Sequence, residues 1–92
     1  MKIYVGQSNI LLSLITSISL TDATSAIIKY KRPDNTYGEW TGTINGQLVE
    51  YPFQNGDLYV AGKWIVWVYI TFSSGKISIG EPSDLVINEQ GT

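Results

Sequence analysis

The chain has no cysteine and no histidine. Disulfides, thiolate zinc, histidine-ligated haem, cysteine nucleophiles and every triad with a histidine base are thereby excluded. Charge is scarce as well: Asp, Glu, Lys and Arg make up 15% of the residues, against about 25% in an ordinary soluble domain. A surface built mostly from Ser, Thr, Asn, Gln and Gly keeps a free monomer in solution poorly and suits a protein that lives in an assembly. Six Lys and Arg against eight Asp and Glu leave a net charge of −2. The densest basic cluster, Lys29, Lys31 and Arg32, is too thin to displace counterions from a polyanion. Nucleic acid is not an expected partner, and an anionic membrane surface is disfavoured on the same ground. No segment has the roughly 20 consecutive apolar residues that cross a bilayer.

Lys2 followed by the apolar run from Ile10 to Leu20 has the outline of an export signal. However, Gly6-Gln7-Ser8-Asn9 interrupts it, and the bulk falls on the even positions Ile10, Leu12, Leu14, Ile18 and Leu20, against Ser13, Ser17 and Ser19. A period of two is a strand signal, so the expectation is a product made in the cytoplasm without a leader.

What the chain does have is strand formers: twelve Ile, six Val and eight Thr against three Ala. Such β-branched side chains are stiff at χ1 and pack well on a pleated surface. Turn signals divide the chain at short intervals. Gly6-Gln7-Ser8-Asn9 separates Lys2–Val5 from a strand starting at Ile10, and Arg32-Pro33-Asp34-Asn35-Thr36 follows the strand Ser25–Lys31. Asn45-Gly46 joins Gly38–Ile44 to Gln47–Phe53 as a hairpin. Asn55-Gly56-Asp57 opens a corner before the long strand Lys63–Phe72. Ser73-Ser74-Gly75 turns into Lys76–Ile79, and Leu85–Asn88 comes last. Seven or eight short strands at this spacing predict an all-β sandwich or small barrel, with residues 1–92 as a single domain, a length that one core serves.

The long strand carries the most information. Trp64, Val66, Val68, Ile70 and Phe72 form a continuous apolar face that belongs in a core. The opposite face, Lys63, Ile65, Trp67, Tyr69 and Thr71, is expected to be polar where a sheet meets water. Instead Ile65, Trp67 and Tyr69 stand side by side. Either a loop or the N-terminal segment covers them, or they form a protein contact, or the aromatic rings stack on a sugar. The first strand, with Ile3 and Tyr4, has few charges to protect its edge and is expected to supplement a neighbour's sheet or its own.

No catalytic, cofactor or metal site is expected. Glu39 and Glu50 fall on one predicted hairpin but not opposite each other, as a carboxylate pair requires. Asp34, Asn35, Asn55 and Asp57 offer hard oxygen ligands, but their spacing matches no calcium loop and turns use the same residues. Trp40 and Trp64 read as core, while Trp67 is better explained by contact with something else.

Two stretches carry a family resemblance. Lys29-Tyr30-Lys31-Arg32-Pro33-Asp34-Asn35-Thr36-Tyr37-Gly38-Glu39-Trp40-Thr41-Gly42 resembles a hairpin of small phage virion proteins similar to the N-terminal immunoglobulin-like domain of the phage baseplate upper protein. Asp57-Leu58-Tyr59-Val60-Ala61-Gly62-Lys63-Trp64 resembles the corner that enters the long strand of that group, and Ile3-Tyr4-Val5-Gly6-Gln7 is similar too. The resemblance implies an immunoglobulin-like β-sandwich of antiparallel strands with a non-enzymatic role in the virion. The sequence stops at Thr92, so a standalone adaptor, neck or decoration subunit is expected rather than a direct fibre holder. Ile65, Trp67, Tyr69, Ile3 and Tyr4 would form its interface with other virion structural proteins, within a homo- or hetero-oligomer. The alternative from another class is a carbohydrate-binding module that uses Trp40, Tyr59 or Trp67 as stacking platforms.

Overall fold

The alternating segments pair into nine strands over residues 2–91, which the computed structural model describes. They are β1 (Ile3–Tyr4), β2 (Leu11–Ile15), β3 (Ala23–Lys31), β4 (Tyr37–Thr41), β5 (Thr43–Asn45), β6 (Leu48–Pro52), β7 (Gly62–Phe72), β8 (Ile77–Ile79) and β9 (Ser83–Asn88). The larger sheet runs β1-β9-β7-β3-β4, the smaller β2-β6-β5. The long strand β7 is shared along one side: β9 pairs with Gly62–Val66 and β8 with Tyr69–Thr71. Between them Gly80 N donates to Val68 O at 2.9 Å.

This is the all-β sandwich expected from the strand spacing, with three differences. The expected strand Gly38–Ile44 divides at Gly42, so that β4 lies in the larger sheet and β5 in the smaller. The cause is a close approach: a Cβ on Gly42 would lie 2.5 Å from Val49 Cγ1 and 3.2 Å from the Ala26 carbonyl oxygen. Only a residue without a side chain passes there, and the chain bends from one layer to the other. The first strand also pairs parallel to the last, Ile3 with Ile87 and Tyr4 with Asn88. The loop of the β5–β6 hairpin is Gly46-Gln47, one residue later than expected, because Asn45 still pairs with Leu48. Gly46 has φ +63° and Gln47 is not in the positive region, which suits a turn with glycine at its first central position.

One buried cluster fills the space between the sheets. Trp64, Val66, Val68 and Ile70 of β7 join Ala26, Ile28 and Tyr30 of β3 and Leu85 and Ile87 of β9, facing Val49 of β6. Leu12, Leu14 and Ile44 pack against this cluster from the smaller sheet. At one end the core is aromatic. Trp40 stacks on Tyr51 at 5.1 Å and lies 4.2 Å from Tyr30 and 6.1 Å from Trp64, centroid to centroid. It thereby ties β4 to β6 across the sandwich, and offset or tilted ring pairs of this kind add about 0.5–1.5 kcal/mol each beyond area burial. Arg32 closes this end. Its guanidinium carbon lies 4.8 Å from the Tyr30 ring and 5.2 Å from that of Tyr59. Nη1 donates to Thr36 Oγ1 and Nη2 to Tyr30 Oη, at 3.0 and 2.9 Å. The arginine so fastens the turn that the sequence predicts at residues 32–36.

Two tests follow from this packing. Gly42→Ala should lower the unfolding free energy by about 1–3 kcal/mol, the usual cost of forcing atoms into a filled space, read by chemical denaturation. A neutral result would show that the corner tolerates a side chain. The second test uses Tyr51, whose hydroxyl donates to Asp57 Oδ2 at 2.7 Å. Burial, then this bond and the Asp57 charge, push its pKa from 10.0 up to about 12. A phenol raised on folding contributes stability that is complete below its unfolded value and lost as pH rises through its folded one. Stability should therefore fall between pH 10.0 and about 12, and Tyr51→Phe should fall less steeply over that window.

Candidate interaction surface

The outward face of β7 follows from its alternation. With Trp64, Val66, Val68 and Ile70 turned inward, Lys63, Ile65, Trp67, Tyr69 and Thr71 face away from the smaller sheet. Ile65, Trp67 and Tyr69 are half-buried there by neighbours in the sheet's own plane. On the β3 side Lys31 pairs with Ile65, Lys29 with Trp67 and Ile27 with Tyr69. On the other side Tyr69 pairs with Ile79 and Thr71 with Ile77 of β8, while Ile65 pairs with Asp84 and Lys63 with Val86 of β9. The strands that flank this row, β3, β8 and β9, all belong to the same sheet. The N-terminal segment, one of the covers that the sequence left open, lies instead at the sheet's far edge, where β1 pairs with β9.

Lysine stems extend the apolar area. Lys29 Nζ lies 4.2 Å from the Tyr69 ring centroid, and Lys31 Nζ 5.8 Å from that of Tyr37. The ammonium groups sit over the rings, an arrangement worth about 0.5–1 kcal/mol when exposed. Trp67 lies with Lys29, Tyr37, Gly38 and Glu39 around a shallow depression of about 340 Å³. Lys63 and Asp84 approach to 4.0 Å with both side chains mostly exposed, a pair that contributes little in water.

The structure brings Ile65, Trp67 and Tyr69 together and separates Ile3 and Tyr4 from them. Ile3 packs against the core. Tyr4 lines a different, open depression with Val5, Gly6, Gln7, Gln90 and Gly91. Sequence reasoning missed the contribution of Ile77, Ile79, Val86 and Tyr37, which are 51%, 63%, 54% and 66% exposed. The signal was available: Ile77-Ser78-Ile79 alternates, and a tight turn at residues 73–75 places Ile79 beside Tyr69.

The carboxylates have local work. Glu39 and Glu50, expected on one hairpin, lie in different sheets because of the Gly42 corner. Glu50 accepts from Ser13 Oγ and Asn45 Nδ2, both at 3.2 Å. Asp34 accepts from the amide and the hydroxyl of Thr36, and these two bonds hold its carboxyl below the usual range. Asp57 accepts from Tyr51 and from Gln54 N at 2.7 Å. No three acidic, histidine or cysteine groups gather among the described residues.

The carbohydrate reading fails on geometry. Trp40 is buried in the aromatic core, 6% exposed, and Tyr59 lies edge-on to Trp64 rather than beside Trp67. Trp40 and Tyr59 therefore do not join Trp67 in a row of stacking platforms.

No protein-family model matches this chain, and neither does any curated protein. Among solved structures it is similar to CopC from Methylosinus trichosporium OB3b, with a TM-score of 0.64 and 14% identity over 99% of this chain and 87% of that one. A likeness at that identity is one of fold. It nonetheless overturns the expected kinship with the phage baseplate upper protein: the architecture is that of a protein outside that group. The virion localisation and the adaptor, neck or decoration role rested on that kinship, and they fall with it. The chain is a β-sandwich with the fold of CopC.

Proposed function

We propose that this sandwich is a non-catalytic protein-binding domain and that its working surface is the outer face of the larger sheet, centred on Trp67. The observation that carries the reading is the outward row Ile65, Trp67 and Tyr69, continued by Ile77 and Ile79. A monomer seldom leaves such a patch to water, and patches of this kind serve as protein contacts. Few charges elsewhere on the surface support the same reading, as does the employment of Asp34, Glu50 and Asp57 in local hydrogen bonds.

The partner that suits the face is a second copy of the chain. Lys29, Lys31 and Lys63 run along its middle strands, with Glu39 and Asp84 on the flanking ones. A surface with both signs around an apolar centre complements itself under two-fold rotation. Two sheets packed face to face at the usual angle would bury the isoleucines and aromatic rings of both.

Light scattering after size exclusion, at micromolar concentration, should give a discrete oligomer. Trp67→Ser should return it to the monomer mass with an unchanged circular dichroism spectrum, since a tryptophan at the centre of an interface contributes about 2 kcal/mol or more. Tyr69→Ser should act in the same direction. A monomeric wild type would overturn the reading, and so would a Trp67→Ser chain that unfolds, because the residue would then belong to the core.

A further inference from the structure

The two sheets are unequal, and the inequality leaves a second site. β2 is the outermost strand of the smaller sheet. Phe53 N donates to Ile10 O and Thr16 N to Gln47 O, in the same register that pairs Leu12 with Tyr51 and Leu14 with Val49. The even residues of β2 are therefore the ones bonded to β6, and the odd ones turn their N–H and C=O groups outward. Leu11, Ser13 and Ile15 present these groups along a free edge. The edge has neither charge nor proline, the usual protections against strand addition. Leu11 and Ile15 are 52% and 80% exposed.

Beyond this edge the larger sheet continues. A groove of about 560 Å³ runs between Leu14–Ile18 on one wall and Val66–Ile70 with residues 78–83 on the other. Its floor is apolar where Val66, Val68 and Ile70 line it, and Glu81 is the single charged side chain on its walls. It opens where β8 ends and β9 has yet to begin along β7.

We propose that an extended segment of a partner protein adds to the smaller sheet along β2, as its fourth strand. Its backbone bonds to the outward groups of Leu11, Ser13 and Ile15. Its alternate side chains are apolar and enter the groove over Val66 and Val68, and a lysine or arginine at one end meets Glu81. The overhang decides the occupant. A second sandwich approaching edge to edge would bring its own larger sheet into the space that β8 and β9 already fill, whereas a single strand has no second layer to collide. Backbone pairing gives such a site its affinity and the groove gives it preference for alternate side chains.

The test selects short peptides from a displayed random library against the full chain, then measures the best one, synthesised, by fluorescence anisotropy. The selected peptides should carry apolar residues at every second position and a cation at one end. Wild type and Tyr69→Ser should bind the peptide equally. Ser13→Pro should bind it at least about tenfold more weakly, the scale of one lost backbone hydrogen bond, in a chain that still folds, because the Ser13 amide faces away from β6 and the side chain gives up only an exposed bond to Glu50. A control independent of the fold uses the peptide itself: N-methylation of the amides that face β2 should abolish binding, and N-methylation of the alternate set should leave it intact. Selection without alternation, indifference to Ser13→Pro in a folded chain, or equal effects of the two methylated peptides would overturn the proposal. So would self-association that Ser13→Pro abolishes, since a second copy would then occupy the edge. The reading of the outer face fails separately, through the masses of wild type and Tyr69→Ser.

Discussion

A strand that is apolar on both faces has only one interior to enter. β7 is that strand here, and most of the architecture answers to it. It pairs with β3 from Ile65 to Phe72 and with β9 and β8 in succession on the other side, so it lies in the middle of the larger sheet. Its even residues supply the deepest part of the core, Trp64 among them with no exposed surface. The twofold period of a strand then forces Ile65, Trp67 and Tyr69 to the opposite face. A slip of one residue would exchange the two sets. It would put Lys63 and Thr71 inside, so the register is decided by the ends of the strand while the middle remains apolar either way. The exposed row is thus a direct consequence of the strand that holds the domain together.

The residues that resemble a phage domain turn out to be the residues that hold this end of the sandwich. Arg32 lies against Tyr30 and Tyr59 and fastens the turn to Thr36. Trp40 lies between Tyr30, Tyr51 and Trp64. The Trp64 indole donates to Val60 O at 3.0 Å, which closes the corner before β7. These are solutions to a packing problem that any sandwich with a long central strand meets. A hairpin with a proline turn and a glycine-tryptophan corner therefore identifies an architecture, and architecture alone does not carry function.

The same distinction explains what could be read from the chain. Local chemistry was legible: the turn at residues 32–36, the hairpin after β7, the alternation of β7 and the core places of Trp40 and Trp64 each depend on neighbours in sequence. The split at Gly42 was not, because its cause is the Val49 side chain approaching from another strand. The parallel pairing of β1 with β9 joins opposite ends of the chain and leaves no local mark. At the outer face, the central three residues were visible in one strand. Their neighbours Ile79, Val86 and Tyr37 became part of the same surface only through registers that a single sequence does not print.

The remaining edges of the two sheets show why that of β2 stands apart. β5 and β8 have three residues each and β1 has two, too short to template another strand. β1 is also anchored, since Val5 N donates to Asn88 O and Gln90 Nε2 to Val5 O. β4 carries Glu39 on its outward set and bends away at Gly42. β9 is preceded by Glu81-Pro82 and bears Asp84 where β1 does not cover it. Each of these devices keeps a sheet from pairing with a stranger. β2 has five residues, two large apolar side chains exposed and none of these protections, and it lies beside a groove rather than open solvent. A chain with so few charges places some of them at every other edge of useful length, and the bare edge is the one that a single added strand would complete.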